Sequence, residues 1–319
     1  MRFSRISLLA LFCVLGCALG VSACQSNSQI QNPVPDGGGA SGGAGGSPVV
    51  PQPVTILNWN LHKLVDDETD GYPAEQVVTT AVWDAHRQAV GKVIAAVDPD
   101  IAILQEVEGM DVLQELDDQE LGGRYTVLEL APGNDPSGIA VAMLSRLPVD
   151  EVITHKDDSF TVVGTPAPSY QYTRDCLELH FTINGRKVGL FGVHYKAKVQ
   201  DDPDKRLAEA QHTRALADAY THANADSGAL ILGDFNDTPG SLAVNWTIGN
   251  APNQYTDAPG GIAGAWSMVY NGVQELVDHQ MSSPVLAPML DTSSVQILHS
   301  TDVDHASDHA PVIATYDVE

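Results

Sequence analysis

Eight polar residues, Asn60, Glu106, His194, Asp234, Asn236, Asp278, Asp308 and His309, each lie within a few positions of an apolar run of strand character. That is how a polar site is built on the rim of a sheet. The densest stretch is 229–238, ALILGDFNDT, where an apolar run and a glycine lead into Asp-Phe-Asn-Asp. Alternate residues of an extended segment face the same side, so Asp234 and Asn236 can project toward one ion, and oxygen ligands of this kind suit Mg²⁺. Ser307-Asp308-His309-Ala310-Pro311 adds an Asp-His pair at the opening of a strand, able to coordinate an ion or to activate water. Taken singly these residues say little. An Asn after a strand is usually a turn residue, a lone Glu106 reads as a helix-start or surface residue, and a lone His309 reads as a cap or core histidine.

Positioning such groups requires strands, and the pattern of apolar residues supplies them. Strands are predicted over 54–58, 101–104, 126–130, 139–144, 176–183, 187–193, 230–232, 275–281, 295–298 and 311–316. Helical spacing covers 74–97 and 204–225, the second with Pro203 just ahead as a start signal. Strands in consecutive pairs mixed with a few helices predict an α/β sandwich of two packed sheets with helices outside. No internal repeat or second linker interrupts the chain from residue 54 onward, so 54–319 reads as one domain.

The hydrophobic share, 43% of 319 residues, is ample for a sizeable core and excludes disorder for the bulk of the chain. The first 23 residues read as a secretory leader: Arg2 and Arg5, an apolar run over 6–20, then Val21-Ser22-Ala23-Cys24. The last four resemble the lipobox of bacterial lipoproteins, in which Cys24 is lipidated and becomes the first mature residue. The alternatives are a plain secretory signal and an uncleaved anchor. Residues 24–53, rich in glycine and proline, then form a tether that cannot bury enough surface to order itself. With Cys13 and Cys17 lost and Cys24 lipidated, Cys176 alone remains in the folded part, as a small buried hydrophobe, and no internal disulfide can form.

Sixteen Lys and Arg against 41 Asp and Glu give a net charge of −25, and losing Arg2 and Arg5 with the leader deepens it. Such a field disfavours tight non-specific binding of nucleic acid. Bound divalent ions reverse it locally, so phosphate substrates remain open. Basic residues gather around His194, at Arg186, Lys187, Lys196, Lys198, Lys205, Arg206 and Arg214. Lys205, Arg206 and Arg214 read as a solvated helix face; Lys196 and Lys198 read equally well as that or as phosphate-attracting groups.

Five motifs, Asn58-Trp59-Asn60, Leu104-Gln105-Glu106, Gly192-Val193-His194, Gly233-Asp234-Phe235-Asn236 and Ser307-Asp308-His309, stand in the order found in one superfamily. The chain resembles, over 54–319, the endonuclease/exonuclease/phosphatase superfamily, which includes deoxyribonuclease I and the bacterial sphingomyelinases. The resemblance implies a four-layer α/β/β/α sandwich of two mixed β-sheets. It implies Glu106 as principal Mg²⁺ ligand, with Mn²⁺ as a substitute, and Asn60, Asp234, Asn236 and Asp308 near the ion. Arg174 and Asn236 would meet the substrate phosphate. His309, oriented by Asp278, would act as base, with Asp234 able to share that part, and His194 as acid.

Three departures accompany the match. No carboxylate upstream of His194 is placed to orient it, the usual Arg-x-Asp-aromatic becomes Glu275-Leu276-Val277-Asp278-His279, and a histidine stands where abasic-site endonucleases usually carry tyrosine. The expected protein is an exported, membrane-anchored phosphoesterase, in the outer membrane if the cell has one, acting on nucleic acid or a phospholipid headgroup without an obligate protein partner. The alternative is a surface-binding lipoprotein that keeps the fold without turnover.

Overall fold

The computed structural model describes residues 50–319; the expected leader, Cys24 and nearly all of the expected tether lie outside the described residues. In chain order the strands are β1 (Gln52–Leu64), β2 (Ile101–Val107), β3 (Val127–Ala131), β4 (Ala140–Ser145), β5 (Glu151–Ile153), β6 (Leu177–Ile183), β7 (Arg186–His194), β8 (Gly228–Asp234), β9 (Thr256–Asp257), β10 (Met268–Tyr270), β11 (Val273–Glu275), β12 (Asp278–Ser282), β13 (Leu290–Ile297) and β14 (Val312–Val318). The helices are α1 (Thr80–Val97), α2 (Met110–Leu116), α3 (Pro203–Ala223), α4 (Leu242–Ile248) and α5 (Thr301–Ala306).

Two six-stranded sheets form, β13-β14-β1-β2-β4-β3 and β5-β6-β7-β8-β12-β9, with β10-β11 a separate hairpin. Each sheet is mixed: β1 runs parallel to β2 and β7 to β8, and their other pairings are antiparallel. Between the sheets lie Ile56, Ile101, Ile103, Leu179, Leu190, Leu230 and Leu232. The opposite face of the first sheet packs Leu57, Trp59 and Leu104 against α1, α2 and α5, and that of the second packs Phe191, Ile231 and Met281 against α3 and α4. The four-layer sandwich follows from period-two alternation with both faces apolar.

The inter-sheet face changes character toward one end. Along β1 it runs Val54, Ile56, Asn58, Asn60; along β7, Val188, Leu190, Gly192, His194; along β8, Leu230, Leu232, Asp234. Since side chains on one face recur every second residue, the apolar core gives way to a polar cluster over one strand turn. In register, His194 sits opposite Asp234, and Asp234 opposite Asp278.

Several predicted elements differ, the 54–58 strand running on to Leu64 and the 295–298 strand beginning at Leu290. The 74–97 helix begins only at Thr80, where the Thr79 hydroxyl accepts the Val82 N–H as N-cap. The 275–281 strand is broken: Leu276 and Val277 leave the ladder, because the Val277 carbonyl accepts the Phe235 N–H and Ser267 Oγ accepts the N–H groups of Val277 and Asp278. The short helices α2, α4 and α5 were not expected, since six or seven residues are too few to show helical periodicity. Arg206 and Arg214 correct the solvated-face reading, as both are buried. Arg206 pairs with Asp201 and Asp237, while Arg214 donates to the carbonyls of Thr247, Ile248 and Asn253 and lies over Tyr255.

Gly233 precedes Asp234 at φ 151°, and a Cβ there would sit 1.9 Å from the Val193 carbonyl oxygen. No flexible side chain can yield. Gly233→Ala is therefore expected to cost about 3 kcal/mol or more, combining backbone strain with overpacking. Urea unfolding measures this, and an unchanged midpoint would contradict the contact.

Candidate active site

Asn60 is the hinge of the site. Its Oδ1 accepts the His62 N–H at 3.0 Å, which turns the amide nitrogen toward two carboxylates: Nδ2 donates to Asp234 Oδ2 at 3.0 Å and to Glu106 Oε1 at 3.3 Å. Asp234 comes straight off β8. Glu106 does not come straight off β2, because parity in a regular strand would put it with Ala102 and Leu104 on the helix-covered face. A register shift between Gln105 and Val107, with Glu106 at φ 64°, swings it round to Asn60 instead. Such a bulge re-aims a side chain.

His309 precedes β14 and is fixed from several sides. Its carbonyl accepts the indole N–H of the fully buried Trp59 at 2.8 Å, and its N–H donates to Ser307 Oγ, which itself donates to the Asn60 carbonyl. Its Nδ1 lies 2.7 Å from Asp278 Oδ2, and its Nε2 lies 3.9 Å from Asp234 Oδ2. His194 Nε2 is 3.5 Å from Asp234 Oδ2 and 4.0 Å from Glu106 Oε1, and its Nδ1 is buried with no hydrogen-bond partner. That orphan atom is the structural face of the missing upstream carboxylate.

Protonation follows from burial and neighbours. Burial raises the Asp234 pKa to about 6, even though the His309 charge and the Asn60 and Asn236 N–H groups work the other way. Burial opposes the His309 imidazolium, yet Asp278 beside it, with Asp234 and Asp308 nearby, outweighs this and pushes its pKa up to about 10. Burial, reinforced by the charges of Arg174 and His309, drives the His194 pKa well below the usual histidine value. The site at neutral pH therefore holds an imidazolium at 309 and a neutral imidazole at 194. In the ion-free site these shifts leave Asp234, expected to share the part of base with His309, as the open proton acceptor.

The remaining expected residues are placed less directly. Asn236, at φ 51°, donates its N–H to Asp234 Oδ1 and its side-chain amide to the Tyr195 carbonyl, so it braces Asp234. Asp308 lies on the pocket wall with Oδ1 2.9 Å from His62 Nδ1, and so is engaged by His62. Arg174 stands behind the wall, its Nε 2.9 Å from Asp135 Oδ2 and its Nη1 3.4 Å from the Tyr195 carbonyl. It does not line the pocket, but its charge acts on His194.

A pocket of about 160 Å³ opens over these groups, walled on the far side by Ala197, Lys198, Val199, Met268, Tyr270, Glu275 and Val277. Lys198 closes the rim by pairing with Glu275 at 2.5 Å and lying over the Tyr270 ring. Lys196 donates to the carbonyls of Ala197 and Val199, tying its own loop. Sequence reasoning missed His62 and the β10-β11 wall. His62 had one available signal, its place two residues beyond Asn60; the hairpin had none.

A sequence model of the Endonuclease/Exonuclease/phosphatase family matches residues 57–309. The chain belongs to this family. Among curated proteins none matches it in sequence. Solved structures share the fold. An endonuclease/exonuclease/phosphatase family protein from Bacteroides thetaiotaomicron superposes with TM-score 0.59 at 15% identity, covering 84% of this chain and 96% of the other. Truncated TDP2 from Caenorhabditis elegans gives 0.55 at 20% identity over 83% and 98%, and the human Nocturnin catalytic domain with bound sulfate gives 0.56 at 14% over 83% and 94%.

Members of the endonuclease/exonuclease/phosphatase family are hydrolases of phosphate esters, and they generally work with a divalent metal ion. The residues here fit such an ion. Two carboxylates, Glu106 and Asp234, share one amide nitrogen beside the imidazole of His194, and both line the pocket.

The protonation pattern has a testable sign. A pKa raised on folding contributes stability that is present below the unfolded value of about 6.5 and lost as pH rises toward the folded value. Chelated protein is therefore expected to lose stability between pH 7 and its folded His309 value near 10, a window above the Asp234 titration. Asp278→Asn should flatten that slope and bring the His309 ring-proton NMR titration back toward 6.5 or below. An Asp278→Asn protein whose His309 still titrates near 10 would contradict the assignment.

Proposed function

We propose that the protein is an exported, membrane-tethered phosphoesterase that uses Mg²⁺, or Mn²⁺ in its place, to hydrolyse a phosphodiester or phosphomonoester by in-line attack of water. The observation that carries this reading is the convergence of Glu106 and Asp234 on one Asn60 amide beside the His309–Asp278 pair. Glu106 and Asp234 would hold the ion, and hard carboxylate oxygens suit Mg²⁺. When bound, such an ion acts as a Lewis acid on the phosphate and offsets charge developing there.

The protein's own groups supply the proton transfers. Asp234, braced by Asn60 and Asn236 and facing His309, accepts the proton of the attacking water. His309 stays charged through Asp278 and faces Asp234, offsetting negative charge on the phosphoryl oxygens. A phosphate ester entering the pocket brings negative charge to His194, which favours its protonated form; His194 then gives that proton to the leaving oxygen. Asn60 and Asn236 hold Asp234 in place throughout.

Substrate size follows from the rim. Lys198 is paired with Glu275, Lys196 is bound to its own loop, and the pocket is small with Met268, Val277 and Tyr270 in its wall. Together with the acidic net charge, this supports a small phosphoester or a phospholipid headgroup over a long nucleic acid, which requires free cations along its path. The leader and Cys24 support delivery to a membrane surface, where such headgroups lie.

The full chain is expected to hydrolyse bis-p-nitrophenyl phosphate with Mg²⁺ or Mn²⁺ and to stop on chelation. Glu106→Ala should abolish turnover, and Asp234→Asn should lower kcat by about 10²- to 10⁴-fold, the usual worth of a positioned proton acceptor. Product analysis over sphingomyelin, inositol phosphates, RNA and DNA then fixes the substrate. Robust turnover in the presence of chelator would contradict the reading.

A further inference from the structure

A second cluster of imidazole and carboxylate lies outside the active site, where the loop after β5 meets α3. His155 and Asp158 come from that loop, and His212 comes from the helix. One oxygen, Asp158 Oδ2, stands 2.9 Å from His155 Nδ1 and 2.9 Å from His212 Nε2, and these three atoms all lie within 4.8 Å of one another. The other nitrogen of His155, Nε2, is 2.8 Å from Glu178 Oε2, whose second oxygen takes His180 Nε2 at 2.6 Å.

We propose that His155, Asp158 and His212 form a second metal site, for a borderline transition ion of the Zn²⁺ type, with Glu178 as the positioning residue for His155. Two nitrogens and one carboxylate oxygen suit such an ion better than Mg²⁺. Bonds of about 2.0–2.1 Å in a tetrahedron place ligand atoms about 3.3 Å apart, so the 2.9 Å separations need open by only a few tenths of an ångström. The two imidazole planes cross at 82°, so the rings approach the shared oxygen from different directions. A metal-bound histidine characteristically gives its other nitrogen to a carboxylate, which fixes the ring, and Glu178 holds that place on His155. The His155 side chain is 10% exposed, His212 24% and Asp158 41%, so solvent reaches the site and leaves a fourth position open to water. Binding would displace the protons of His155 Nδ1 and His212 Nε2 to solvent.

The place of the site suggests its work. The loop it would clip ends at Arg174, which contacts the carbonyl of Tyr195, the residue after His194. Further ties to α3 run from Tyr172 to Thr213 and from the Val163 N–H to Gln211. An ion at 155, 158 and 212 would fasten this loop to the helix as a structural clip, independently of the phosphoesterase reading.

The test uses the chelator-stripped full chain with excess Mg²⁺, titrated with Zn²⁺ alone and read by equilibrium dialysis and thermal unfolding. Wild type is expected to bind one more zinc per chain than His212→Gln, a change that keeps an N–H donor for Asp158, and zinc should raise the unfolding midpoint of wild type only. Asp158→Asn should lose the same equivalent, and Glu178→Gln should weaken zinc affinity about 10- to 100-fold. Equal zinc stoichiometry and affinity in wild type, His212→Gln and Asp158→Asn would overturn the proposal and leave a hydrogen-bonded network alone.

Discussion

Crowding of negative charge is the constraint on which this structure turns. Glu106 and Asp234 reach the same amide nitrogen, and Asp278 lies beside Asp234 in the sheet register, with Asp234 and Asp278 fully enclosed. Two like charges about 4 Å apart oppose each other by about 4 kcal/mol at the effective dielectric of such sites. The fold accepts this cost and offsets part of it with the His309 imidazolium, the Asn60 amide and the N–H of Asn236. What remains is a deficit of positive charge, which fits the divalent ion with which the family generally works.

The same constraint explains why the site is rigid. Asn60 is pinned by the His62 N–H, His309 by the Trp59 indole and by Ser307, and Asp234 by a glycine whose backbone leaves no room for a side chain. These anchors come from β1, β8 and the segment before β14, elements whose apolar faces form the inter-sheet and helix-covered cores. Precision at the site is thus inherited from packing on both sides of each sheet.

Much of this was legible in the sequence, for a physical reason. Strands covered on both faces read as apolar runs, and the runs that end in Asn60, His194 and Asp234 announce their polar ends directly; Asp278 and His309 follow from motif order. What could not be read was anything that breaks strand parity or depends on protonation. The bulge at Glu106 reverses the face its position implies, the break at Leu276 and Val277 interrupts an apolar run, and the carboxylate of Asp278 raises the pKa of His309, a bias that residue spacing does not carry. Arg174, Arg206 and Arg214 show the same limit, since a basic residue looks identical in sequence whether it meets solvent, substrate or a buried carbonyl. The His155–Asp158–His212 cluster was equally hidden, being assembled from a loop and a helix 54 residues apart.

The central claim is that Glu106 and Asp234 form a seat for a hard cation. Thermal unfolding of the chelated full chain at pH 8, repeated across a Mg²⁺ series, tests it without reference to any substrate. Binding to the folded state alone adds about 2.7 kcal/mol at one hundred times the dissociation constant, so the wild-type midpoint should climb with Mg²⁺ while that of Glu106→Gln stays flat. A wild-type midpoint indifferent to Mg²⁺, or a Glu106→Gln protein that responds equally, would contradict the account.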